Sequence, residues 1–286
     1  MVDLLRIHAQ ILMRPIAMSL RLPPSRCVFV MVCCVLVVSW GGVVLFDMFN
    51  VWGWGAWFTF EASPHMFEEN NAFFYAWFDD RSPIEWMQWL CLGSFSILSA
   101  YHAGRLQRTS DRVLFVFWAL MAVGGMLLVL EDAGSPRHRV LELLAIVPFL
   151  RAYEGAVVVI FELFIYFPAL AALPVYAFYR SYHRIRQMPT IHRYLIIGFG
   201  FYAVAAFFSA SSGIGFWYNT VGTAWLDLMF SNHLLDPAVY RQPELGFWLM
   251  DTLVEESLEL LGATGLLSAA LAQYHRPLPA SCTTEF

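Results

Sequence analysis

Residues 27–46 read CVFVMVCCVLVVSWGGVVLF, twenty consecutive residues without a charge. A helix rises about 1.5 Å per residue, so this stretch is about 30 Å long, the thickness of a bilayer's hydrocarbon core. Working outward from it, five more stretches reach or approach that length: 85–102, 113–130, 155–179, 194–212 and 247–272. The segment 85–102 is shorter and begins polar. The segment 155–179 is interrupted by Glu162, Pro168 and Pro174. The run 140–150 is apolar but too short to span and contains Pro148, so it reads as an interfacial or re-entrant helix. The expected fold is all-α: a polytopic membrane bundle of six transmembrane helices with short interfacial or re-entrant helices. A basic arm (1–26) precedes the single membrane domain (27–272), and a short tail (273–286) follows it.

Composition agrees. The 286 residues are 59% hydrophobic and 14% charged, against roughly 45–50% and 25% in soluble domains. Mean hydropathy is +0.59. Disorder, collagen, coiled coil and a disulfide scaffold are excluded. So is a nucleic-acid binder, because the net charge is −5 and the pI about 5.9. Cys27, Cys33, Cys34, Cys91 and Cys282 form no C-x-x-C pair, and four of them lie in apolar runs, as packing residues do.

Arginine orients the chain, since cytoplasmic segments carry the excess of positive charge. Arg6, Arg14, Arg21 and Arg26 precede the first span. Arg105, Arg108 and Arg112 follow the second, and Arg180, Arg184, Arg186 and Arg193 follow the fourth; Arg276 lies in the tail. Acidic residues (Asp47, Glu61, Glu68, Glu69, Asp79, Asp80 and Glu85) crowd the loop between spans one and two. Six spans with both termini cytoplasmic satisfy every loop. All basic residues are arginine, with no lysine, a bias that points to a GC-rich bacterial coding sequence and so to a bacterial inner membrane. The first span is too long for a signal-peptide core, and no small-x-small site follows it. The outer stretches 51–58 and 66–78 are aromatic enough to lie in the headgroup layer, and 217–246 reads as loops capping the bundle.

The sixth span carries Asp251, Glu255, Glu256 and Glu259. An ionisable group at the bilayer centre costs roughly 2.5–3.5 kcal/mol on insertion scales and marks a functional site by default. Asp251, Glu255 and Glu259 recur at i, i+4, i+8 and share one helical face, while Glu256 points about 100° away. Three carboxylates on one face must be protonated, bind a cation or pair with arginine. Glu162 in span four, Glu131 and Asp132 at the end of span three, and Arg137, His138, Arg139 and Arg151 beyond it are the other members of an outer-half cluster. Three readings compete: a structural Glu–Arg network, a proton or cation site, and a catalytic metal or acid–base site. Carboxylate ligands suit a hard divalent cation. No span has a mid-membrane histidine, so no intramembrane His pair exists for haem. Walker A, G-x-S-x-G and H-E-x-x-H motifs are absent.

Three patches carry a resemblance. The run WFDDRSPIEWMQ (77–88) resembles the E-D-G-x-x-E-W-L-Q entry of a group of uncharacterised bacterial multi-pass membrane proteins. Glu131-Asp132 with Arg137-His138 is similar to that group's E-E-I-S-W-G-Q-R, with Gly134-Ser135-Pro136 in place of its Trp-Gly-Gln. Glu255-Glu256-Ser257-Leu258-Glu259 matches its E-E-x-L-E. The group's outer N-x-x-x-E-x-N-L-H-N element is reduced here to Ser231-Asn232-His233. The resemblance implies six spans and the same carboxylates, and brings no activity.

The leading functional expectation is an integral membrane protein whose outer cluster binds or conducts protons, cations or a polar ligand. The alternative is an accessory subunit of a larger membrane complex, with a membrane-embedded hydrolase or metalloenzyme third; whether the protein is an enzyme stays open. The bilayer is the expected partner, with other membrane subunits under the second reading.

Overall fold

The computed structural model describes residues 22–49, 51, 77–78, 82–107, 111–134, 136–146, 154–212, 217–231 and 245–276. Every regular element among them is helical. Helix α1 is Ser25–Gly42, continued by a π turn, Val43–Met48. Helices α2 (Pro83–Leu106), α3 (Arg112–Gly134) and α4 (Pro136–Ala145) follow. Helix α5 is Glu154–Phe161, a π turn Glu162–Tyr166, then Phe167–Arg186. Next come α6 (Pro189–Ser212) and α7 (Trp217–Ser231). Helix α8 is Leu245–Trp248, a π turn Leu249–Glu255, then Glu256–Tyr274.

Four stretches, Ser25–Phe46, Arg112–Gly134, Val157–Arg186 and Pro189–Ser212, are long and apolar enough to cross a membrane. Helices α2 and α8 run beside them, and successive long helices alternate in direction. Asp111 meets Arg184, Gly124 meets Pro174 and Glu131 meets Tyr166, so α3 and α5 are antiparallel. Cys91 meets Thr264 and His102 meets Ala270, so α2 and α8 are parallel. One end of the bundle therefore gathers Arg105, Arg112, Arg184 and Arg186; the other gathers Glu131, Asp132, Glu162 and the acids of α8.

Several boundaries move. The segment expected at 85–102 runs 83–106, because Ser82 accepts a hydrogen bond from the Glu85 amide (3.3 Å) and Pro83 opens the helix. The segment expected at 155–179 continues to Arg186, with His183, Arg184 and Arg186 in the last turn, where the helix dipole favours cations. The short helix expected at 140–150 starts earlier, at Pro136, a residue preorganised for a first helical position. The stretch 217–246, read as loops, contains the 15-residue helix α7. The basic arm before 22, the aromatic stretches 52–58 and 66–76, Arg151, Asn232, His233 and the tail after 276 lie outside the described residues.

Helix α8 is the centre of the bundle, packed by α1, α2 and α6. Leu260, Ala263, Leu266, Ala269 and Ala270 are fully buried, and so are the polar Thr264 and Ser268. Thr264 donates back to the Leu260 carbonyl at 2.7 Å, which satisfies its hydroxyl within the helix. Small residues let α6 approach to backbone contact: a Cβ on Gly265 would lie 2.7 Å from the Gly198 nitrogen. Gly265→Val is therefore expected to destabilise the bundle by about 1–3 kcal/mol. Gly93→Val, where nothing lies within 4 Å of an added Cβ, is the neutral control. Thermal unfolding in detergent distinguishes the two; equal melting temperatures would refute the close crossing.

Candidate functional site

The acidic end is organised by the π turn of α8. A π turn holds more residues than an α turn and changes the direction of whatever follows it. The i, i+4, i+8 face read from the sequence is correspondingly broken. Asp251 and Glu255 lie in the turn, and Glu256 and Glu259 lie just past it. Glu256 was expected to point away from the cluster. Instead it interacts electrostatically with Glu259, Asp132, Glu255 and Glu85. Glu256 and Glu259 lie three residues apart in the regular helix past the turn, and so are neighbours on its surface.

Three linked groups result. In the first, the Gln88 amide nitrogen donates to Asp132 Oδ2 (2.6 Å) and to Glu259 Oε2 (2.7 Å). Asp132 and Glu259 also interact electrostatically with each other. Two carboxyl groups held on one amide in an apolar interior cannot both ionise without cost, and a proton on one of them relieves it. Gln88 is fully buried, and its Oε1 has no hydrogen-bond partner among the described residues. The Tyr202 hydroxyl, also buried and without a hydrogen-bond partner there, faces the same pair. Gly262 makes room for that ring: a Cβ there would lie 2.6 Å from Tyr202 Cδ2.

The second group is built on Arg137 of α4. Its Nε lies 3.6 Å from Glu162 Oε1 and 3.8 Å from Glu131 Oε1, and its Nη1 donates to Ser209 Oγ at 2.6 Å. The guanidinium carbon sits 5.5 Å from the centre of the Phe167 ring, within cation–π range. Tyr166 donates to Glu131. Burial opposes the charge on Arg137, but Glu162, Glu255, Glu131 and Glu259 outweigh it and hold its pKa above the usual value. In the third group, Tyr218 of α7 donates to the buried Glu255 at 2.8 Å. Burial and the adjacent Glu255 push the Tyr218 phenol well above its ordinary pKa, so it remains a donor.

The candidates read from sequence thus divide. Glu131, Asp132, Glu162, Asp251, Glu255, Glu256, Glu259 and Arg137 come together. Arg139 pairs instead with the exposed Glu142 at 3.2 Å, away from the cluster, and such exposed pairs contribute little. His138 lies on α4 beside Arg137. Glu85, read as a loop acid, is buried in the first turn of α2 and joins the cluster. Tyr202, Tyr218 and Tyr166 were not singled out; Gln88 entered only as the last residue of the 77–88 patch, and Ser209 only as one of the small residues that end the fifth span. Gln88 alone had a signal, its i, i+3 spacing from Glu85; a tyrosine in an apolar run gives none. Among the described residues no group of three or more His, Cys, Asp or Glu side chains is arranged to hold a metal ion. Comparison with known protein families, with curated proteins and with solved structures returned no match.

Removing the guanidinium from this setting leaves Glu162 buried beside Glu131 without its counter-charge. Arg137→Gln is expected to cost about 3 kcal/mol. Adding Glu162→Gln should recover part of that loss, since the two side chains act as a unit. A double-mutant cycle on detergent unfolding checks this, and strictly additive losses would refute the pairing.

Proposed function

We propose that the protein is a six-span integral membrane protein of a bacterial inner membrane. In this reading the carboxylate cluster in the outer half of its bundle binds protons and a cationic or hydrogen-bond-donating ligand. The observation that carries this reading is the Asp132–Glu259 pair, held on one buried Gln88 amide, with the Tyr202 hydroxyl beside it unsatisfied among the described residues. A purely structural network would be expected to close its hydrogen bonds; leaving a buried hydroxyl unmade costs roughly 1–3 kcal/mol. Two buried oxygens here, on Tyr202 and Gln88, are open to an incoming group.

The six-span topology is supported by the alternation of the long helices and by the separation of arginine from carboxylate along the bundle. The three patches that resemble the bacterial multi-pass group contribute Glu85, Gln88, Glu131, Asp132, Glu255, Glu256 and Glu259 to this single cluster.

Infrared difference spectra test the proton. Wild type minus Glu259→Gln, and wild type minus Asp132→Asn, should each contain a protonated-carboxyl band at neutral pH. No such band in either would leave the cluster as the structural network of an accessory subunit. Orientation has its own test. A cysteine at Gln107, in a background without the native thiols, should react with an impermeant maleimide only after the membrane is opened. Labelling from outside intact cells would invert the topology.

A further inference from the structure

A cavity of about 480 Å³ lies between α3, α5 and α6, closed behind by Leu92 of α2 and Glu259 of α8. Specific small-molecule sites fall at roughly 300–1,000 Å³ and are mostly apolar with a few placed polar groups. The polar groups here are at one end only: Glu131, Asp132, Glu259 and the Tyr202 hydroxyl. The rest of the wall is apolar, including Leu128, Leu170 and Phe199. Val175 and Phe207 line the cavity and are also 61% and 56% exposed on the outside of the bundle. The opening is therefore on the flank between α5 and α6, where a membrane protein meets lipid tails. A second cavity farther along this seam shares Pro174, Val175 and Phe199 with the first, so the apolar slot continues toward the arginine end.

We infer that this cavity is a binding site for a cationic amphiphile, an ammonium head on a single apolar chain, entering sideways from the bilayer. The inference rests on the ligand-binding reading of the cluster and assigns its ligand class. The sign of the head follows from charge. The polar end presents three carboxyl groups, and the nearest guanidinium, Arg137, is engaged by Glu131, Glu162 and Ser209. A phosphate or carboxylate head would meet repulsion there, whereas an ammonium offers donors to acceptors. The rings of Tyr202, Phe199 and Phe207 line the same cavity, and aromatic faces favour cations over anions. The chain follows from the wall: an apolar slot open to lipid takes a tail without exposing it to water. The buried Tyr202 oxygen, without a partner among the described residues, is the group a head would complete.

The test uses the full-length protein in phosphatidylcholine nanodiscs and radiolabelled dodecylamine, with dodecanol and dodecanoate as competitors. Saturable binding is expected, displaced by unlabelled dodecylamine and by neither competitor. Asp132→Asn and Glu259→Gln should each weaken it about tenfold or more, the loss of one charge-assisted contact. Ala203 lines the cavity at an exposed position, so Ala203→Trp should fold normally, block binding and leave the infrared carboxyl band unchanged. Dodecanol competing as well as the amine would overturn the cationic assignment. Binding unaffected by Ala203→Trp would show mere partitioning and overturn the site. An intact infrared band with no amine binding would sink this inference while sparing the proton-binding reading. Loss of the band with amine binding retained would do the reverse.

Discussion

Carboxyl groups placed in an apolar bundle need partners, and the acidic end of this protein is arranged around that constraint. Eight acidic side chains (Glu85, Glu131, Asp132, Glu162, Asp251, Glu255, Glu256 and Glu259) sit there, and the guanidinium of Arg137 reaches four of them. Among the described residues, one positive charge there cannot balance eight negative ones at low dielectric, where unpaired ions are held only at several kcal/mol each. The remainder must be met by hydrogen-bond donors and protons. Gln88, Tyr166 and Tyr218 are the donors, each supplied by a different helix. The position of α4 follows from the same need. It is a short surface helix, and Arg137 at its start is what brings a permanent cation to Glu162.

The π turns serve that arrangement. Adjacent helical residues diverge, and at the end of the turn Leu249–Glu255 both directions are used. Glu255 meets Tyr218 on one side, and Glu256 with its i, i+3 neighbour Glu259 joins Glu85 and Asp132 on the other. The turn at Glu162–Tyr166 begins with the buried acid that meets Arg137 and ends with the tyrosine that meets Glu131. Such turns are rare and occur often at functional sites. Both of these two turns have an acidic residue at one boundary.

Much of the helical layout was legible from the sequence because length and hydropathy are direct physical requirements of a bilayer. The locations of the six long helices and the gathering of arginine at one end could be read residue by residue. What escaped was set by local geometry or by tertiary contact. No residue pattern announces a π turn, and the angle between Glu255 and Glu256 alone did not show that Glu256 is an i, i+3 neighbour of Glu259. Helix α7 was missed because its 15 residues are too few to span and too aromatic to look like an amphipathic helix. Its role depends on Gly222 meeting Gly246 and on Tyr218 reaching Glu255, contacts made across a gap in sequence. Tyr202 was invisible because its function depends on Gly262, sixty residues later in the chain, leaving space for its ring.

The hydropathy criterion also selects the periphery of the bundle. The four stretches that satisfy it include α1 and α5, whose exposed faces carry Val37, Val38, Phe164 and Tyr179. Helices α2 and α8 carry five of the eight acids, Gln88 and several of the buried serines and threonines, and α8 is the most enclosed of the described helices. A helix that touches lipid on all sides must be apolar on all sides. A helix surrounded by other helices is released from that requirement and needs small residues for close packing instead, which α8 supplies at Gly262, Ala263, Gly265 and Ala269. Polarity in a long helix of such a chain therefore marks an interior position. At the seam between α5 and α6 that polar interior meets the apolar outer flank of the bundle.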